Sequence, residues 1–203
     1  MQLNFNTLSP DEAYYALIQL VIPRPIAWVL SDNGNDSLNL APFSFFNAIG
    51  ANPPLLAMAI SHKEDGTPKD TWANIAEREH FVVHIPPVTL ANAVVQTAAS
   101  LPHGESEVSL AGLSLSPVPG WPLPRVTAAP VAFLCKRDQI LLIGKGKTGL
   151  IIGEALEVWV DDEAASRTGG RLSIDALKLN PLARLGGNQY APLGELLTIK
   201  RPR

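Results

Sequence analysis

Two cations, Arg24 and Lys69, and two hydroxyls, Ser61 and Thr71, flank a run at residues 39–47 that reads Asn-Leu-Ala-Pro-Phe-Ser-Phe-Phe-Asn. Cations and hydroxyls are the groups that hold a phosphate dianion. A helix is predicted to open at Asp70 or Thr71, and its first turn would add N–H groups and the positive end of the dipole. A carboxylate repels an anion, so Asp70 is expected to cap the helix with its side chain and turn its amide to the anion. The run from Asn39 to Asn47 mixes aromatics, small residues and hydrogen-bonding groups without one full charge. It suits a planar, largely apolar ring whose edges carry acceptors and one N–H. Ring and phosphate together describe a flavin. Taken singly, Phe43, Phe45 and Phe46 fit core packing equally well, and Lys69 fits a solvated surface.

Other motifs carry less. Residues 144–149 fit G-x-G-x-x-G, but Leu150 to Val160 reads as strand, whereas a dinucleotide fingerprint needs a helix there. A glycine-rich hairpin turn is the better reading. His80 and His84 share one face of a predicted strand, with no nearby cysteine or carboxylate to complete a metal set. His62 and His103 fall in polar loops, either catalytic or simply solvated, the latter favoured. Cys135 ends the apolar run Val131-Ala132-Phe133-Leu134 and reads as packing. No serine sits in G-x-S-x-G, so hydrolysis has little support.

The elements that must position these residues are short. Of 203 residues, 18 are proline and 15 glycine, and proline is costly inside helices and central strands. Ser9-Pro10-Asp11-Glu12 predicts a capped helix that Pro23 stops. Ile26 to Ser31 and Leu38 to Pro42 predict a hairpin around Asp32-Asn33-Gly34-Asn35. Further strands are expected at Leu55 to Ile60, Phe81 to Ile85, Val131 to Cys135, Gln139 to Ile143 and Leu150 to Val160. A second helix is expected within Leu90 to Ala99, a long ordered loop over 101–130, and a short helix with loop after Leu172. The pattern predicts a mainly β chain with α additions, an antiparallel barrel forming one domain over 1–203. With 46% apolar residues, 17% charged residues and net charge −3, the chain is neither disordered nor a general nucleic-acid binder. No apolar stretch is long enough for a transmembrane helix, and the N-terminus lacks a signal-peptide pattern. With one cysteine, these features point to a reducing, cytoplasmic setting. The low charge hints at surface covered by another subunit.

The segments Arg24-Pro25-Ile26-Ala27-Trp28, the Asp32/Gly34 turn, Asn39 to Asn47, Pro53-Pro54 and Lys69-Asp70-Thr71 with Asn74 resemble the flavin reductase-like proteins. The likeness continues through Gly104, Ser106-Glu107, Ala111-Gly112-Leu113, Pro124-Arg125-Val126 and residues 184–188. It implies an FMN-binding split β-barrel, typically homodimeric. It places Asn39, Ala41, Pro42, Phe43, Ser44 and Phe45 beside the isoalloxazine ring. Arg24, Ser61, Lys69, Asp70 and Thr71 would surround the ribityl phosphate. Arg184 and residues 188–190 become secondary candidates for the substrate side or a dimer contact. Two departures stand out: Leu30-Ser31 where Ser-Thr is usual, and Leu134 where a Glu often precedes the Cys.

A flavin carries its own chemistry, so no catalytic nucleophile or metal is expected from the chain. The expectation is hydride transfer from NAD(P)H to N5 of FMN, with FAD less favoured, and onward to a small acceptor. The rival readings are an FMN-binding electron carrier and a cofactor-free small-ligand module on the same barrel.

Overall fold

A computed structural model of the protein describes residues 1–102 and 104–202. His103 therefore lies outside the described residues. Ser9 opens helix α1 (Pro10–Leu20) with the expected capping box: Ser9 N donates to Glu12 Oε2 at 2.8 Å, and Glu12 N donates to Ser9 Oγ at 3.3 Å. Two first-turn amides are thereby satisfied, and Pro10 supplies a pre-set φ at the first helical position.

Four strands follow: β1 (Ala27–Asp32), β2 (Leu38–Phe43), β3 (Phe46–Ala51) and β4 (Pro54–Ile60). Then come α2 (Asp70–Arg78), β5 (His80–His84), α3 (Ala91–Gln96) and α4 (Glu107–Leu110). A two-residue ladder joins β6 (Leu115–Ser116) to β7 (Arg125–Val126). The long strands β8 (Val131–Ile143) and β9 (Thr148–Val160) follow. The C-terminal part adds the hairpin β10 (Ala165–Thr168) and β11 (Arg171–Ile174), α5 (Ala176–Leu179), and the pair β12 (Ala183–Arg184) and β13 (Tyr190–Ala191).

The main sheet has seven strands in the order β2-β1-β5-β8-β9-β4-β3, and every pairing is antiparallel. It curls on itself. Ala27 and Val29 of β1 share a buried cluster with Met58 and Ile60 of β4, although β5, β8 and β9 separate those strands along the sheet. The edge strands β2 and β3 are joined through Ser44 and Phe45, and Phe45 O accepts from Ala59 N at 2.9 Å. They do not pair with each other, so the barrel closes with a split. Strand alternation sends Trp28 and Leu30 of β1 the other way, into an outer cluster roofed by Val94, Val108, Leu123 and Val126. Helix α2 plugs one end of the inner cluster with Trp72 and Ile75.

Three expectations change. The two strands expected at Val131 to Cys135 and Gln139 to Ile143 are one strand, broken in register by irregularities at Leu134/Cys135 and Arg137/Gln139. Bulges let a long strand bend around a barrel without ending. The loop expected over 101–130 contains α4 and the β6–β7 ladder. Strand β3 was not foreseen: its side chains are mostly exposed, so it lacks the alternation that marks a half-buried strand. The 144–149 motif is the β8–β9 turn, as read from the sequence. No helix among the described residues is long and apolar enough to cross a membrane.

Candidate functional site

The start of α2 collects part of the expected phosphate group. An antiparallel bridge pairs His62 with Pro68, which sets Ser61 opposite Lys69 on two exposed, facing segments. Lys69 is the N-cap of α2 and makes no side-chain capping bond. The first-turn amides therefore have no side-chain cap, at the positive end of the helix dipole. Asp70 departs from expectation. It is the first residue inside the helix, one position too late to cap it, and its carboxylate pairs with Lys63 Nζ at 2.8 Å. That pairing offsets a negative charge beside the helix start.

Thr71 is buried, and its Oγ1 accepts from Asn39 Nδ2 at 2.8 Å. Asn39 also reaches Ser31 Oγ at 3.4 Å, while Asn74 Nδ2 donates to Ser31 Oγ at 3.2 Å and to Asn33 Oδ1 at 2.9 Å. Asn39 was expected beside the ring. Its side-chain amide ties Thr71, in the first turn of α2, to the β1–β2 hairpin. Among the described residues no buried side-chain nitrogen or oxygen lacks a partner, so this network is closed.

The other end of β2 is different in character. Ala41, Pro42, Phe43 and Ser44 are half-buried, and Phe45 is exposed with its ring 6.2 Å from that of Tyr14. Phe43 packs on the inner cluster, the core role that its type also allowed. Leu40 N points away from β1, to Glu107 Oε2, so Pro42 two residues on shares that outward side. Its missing N–H thus costs the β1 ladder nothing. Beside Ser44 and Phe45 opens a cleft of about 400 Å³, walled largely by Leu17, Val21, Pro23 and Phe46.

Arg24, expected with the phosphate group, is held at this end by contacts within the chain. It is 5% exposed, and its guanidinium donates to the carbonyls of Ile18, Val21 and Leu185 and to Ser44 Oγ. Carbonyls at the end of α1 have no helical donors, and a buried cation satisfies them and the dipole together. Burial holds the Arg24 pKa below its ordinary value, and the charge of Arg184 acts in the same direction. Asn39 and Phe43 stand four positions apart on the extended strand β2, roughly 14 Å, and Ser44 follows in the bend after it. The sequence-predicted residues thus form two poles: Ser61, Lys69 and Thr71 at one, Ser44 and Phe45 at the other. The secondary candidates Arg184 and Tyr190 adjoin the second pole, where Arg184 bridges Arg24 and stacks 4.4 Å over Tyr190.

Cys135, His84 and His62 each make contacts within the fold. Burial pushes the Cys135 thiol up to about 12, which suits packing and not nucleophilic attack. His84 is fully buried: Nδ1 faces Trp28 O at 2.9 Å, and Nε2 accepts from Val126 N at 2.9 Å. Burial lowers its pKa to about 4, so the ring is neutral, with its proton on Nδ1. His62 packs its ring 4.8 Å from Trp72. No group of three metal-ligating side chains occurs among the described residues. Sequence reasoning missed the contact between Glu107 and Leu40, because partners 67 positions apart leave no local pattern.

Comparison with known proteins adds the lineage. The model of the flavin reductase-like domain matches residues 20–182. Nitrilotriacetate monooxygenase component B of Bacillus cereus superposes with TM-score 0.90 at 34% identity, covering 98% of each chain. The 2-nitrobenzoate 2-nitroreductase NbaA of Pseudomonas fluorescens gives TM-score 0.89 at 31% identity, covering 100% of this chain and 96% of that one. A Shewanella frigidimarina protein described with a split barrel domain shares the fold at TM-score 0.85 and 22% identity, over 100% of both chains. The split seven-stranded barrel and a family match running from the end of α1 to the residue before β12 lead to one conclusion: the chain belongs to the flavin reductase-like family.

Proposed function

We propose that this chain is an FMN-dependent oxidoreductase, one domain over 1–203, that takes hydride from NADH or NADPH and passes electrons to a small acceptor. The observation that carries the reading is the start of α2, a helix without a side-chain cap, with Lys69 and Ser61 facing each other beside it. A terminal phosphate is the ligand whose charge and acceptors match that set. One such pole suits FMN better than FAD, whose phosphates are internal. From there the outer edge of β2 leads to Ala41, Pro42, Ser44 and Phe45, whose small and aromatic surfaces suit the isoalloxazine ring. Bound FMN would supply a hydride acceptor at N5. The chain's part is to hold the ring against β2, keep one face open to the nicotinamide, and exclude water with the apolar wall at Phe45. Asn39 serves from beneath, by holding Thr71 and the helix start in place.

Homodimerisation in the cytoplasm belongs to the same reading. Exposed apolar side chains on α1 and on the distal part of β8, among them Leu20, Leu142 and Ile143, support a covered surface. The single cysteine fits a reducing compartment. The test is direct. Purified protein mixed with FMN is expected to retain flavin bands at about 375 and 450 nm after desalting, and a colourless product would sink the reading. Anaerobic mixing with NADH or NADPH is then expected to bleach the flavin; retained but unbleached flavin would leave an electron carrier.

A further inference from the structure

The outer edge of β2 has no neighbouring strand, yet its first half is not bare. Ser37 Oγ donates to Gly104 O at 2.8 Å, Ser106 Oγ donates to Leu38 O at 2.6 Å, and Leu40 N donates to Glu107 Oε2 at 2.9 Å. The contacts advance together along both segments, so residues 104–107, a loop entering α4, cover this edge of β2 and supply side chains for two of the three bonds. Glu107 is 6% exposed, and burial raises its carboxyl above the ordinary range, with Asp70 acting in the same direction. Protonated or not, the carboxyl keeps an oxygen able to accept from Leu40. That cover stops at Leu40. Pro42, the next residue on that side, has no N–H to satisfy, and beyond it lie Ser44 and Phe45.

We propose that Glu107, seconded by Ser106, is a positioning residue for the flavin: it pins β2 at Leu40 so that Ala41 to Phe45 meet the ring in a fixed register. This rests on the reading of Ala41 to Phe45 as ring-facing. An edge strand without such a pin can slip, fray or pair with another chain. The pin closes the edge only as far as the ring leaves it uncovered.

The test compares Glu107→Gln, which keeps an acceptor oxygen, with Glu107→Ala, which removes it, in the full-length chain. Hydrogen exchange at the Leu40 amide is followed without flavin, and FMN binding by quenching of flavin fluorescence. In Glu107→Ala, Leu40 exchange is expected to quicken and FMN affinity to fall about tenfold, one hydrogen bond's worth of register. Glu107→Gln is expected to restore both to within about threefold of the parent. Should Glu107→Ala fail to fold, Ser106→Ala is expected to show the same changes at smaller size. Faster Leu40 exchange with unchanged FMN affinity would overturn the proposal, as would a Gln variant as impaired as Ala. A parent chain that protects Leu40 but takes up no FMN would overturn both the flavin reading and this role, and the flavin-free exchange identifies that case.

Discussion

Arg24 shows how far residue type alone reaches. Its charge marks it for an anion, but the end of α1 presents carbonyls closer to hand, and burial makes each of those bonds costly to lose. Arg24→Ala is therefore expected to cost roughly 3 kcal/mol of stability in urea unfolding, because several buried acceptors lose their donor at once. Lys69→Ala, on an exposed position, is expected to leave stability within about 0.5 kcal/mol and to weaken FMN binding about tenfold. Reversal of the two phenotypes would return Arg24 to the phosphate. His84 makes a second residue-scale case. Its folded pKa of about 4 lies below the ordinary 6.5, so the unfolded chain binds the proton more readily between those values. Stability from the neutral ring is complete above pH 6.5 and is lost as pH falls toward 4, by about 3 kcal/mol. Urea midpoints from pH 7.5 to 4.5, compared with His84→Gln, measure it; an NMR titration of the His84 ring near pH 6.5 would contradict it.

At the scale of elements, local signals were readable wherever the chemistry is local. The Ser9 capping box, the turn after Asp32 and the glycine-rich turn after β8 were each visible because their partners lie within a few residues. Strand β3 was not, since an exposed edge strand owes its existence to β4 and not to its own pattern. The α2 cap falls on Lys69, one residue before Asp70, directly after the bridge between His62 and Pro68. Gly149 ties two elements together. A Cβ there would stand 2.9–3.0 Å from the Trp72 ring, so the backbone of β9 packs directly on α2. Gly149→Ala is expected to destabilise by about 1–3 kcal/mol and, by displacing the helix start, to weaken FMN binding as well. Thermal melts and a flavin titration check this; a stability loss with unaltered affinity would show that α2 moves without disturbing the proposed phosphate pole.

For the whole molecule, the question is which surface remains for a partner. Leu142 is 60% exposed near the end of β8, between the exposed Leu141 and Ile143. Sedimentation at micromolar concentration is expected to give twice the 21.8 kDa chain mass. Leu142→Glu is expected to shift the population toward monomer and to make the melting temperature depend less on protein concentration, because a charge resists burial in an apolar contact. A parent chain that sediments as monomer would remove homodimerisation from the reading.

By itself the sequence determined the α1 capping box, the tight turns, a β-rich barrel and the likeness to the flavin reductase-like family. Those follow from residue type and short-range periodicity, which survive without a fold. Only the tertiary structure decided which groups share a pole. It sent Arg24 to the end of α1, placed Asn39 beneath Thr71, and brought Glu107 to Leu40 across the chain. A buried polar group must find a partner wherever the fold supplies one, and that choice is made by packing across long sequence distances.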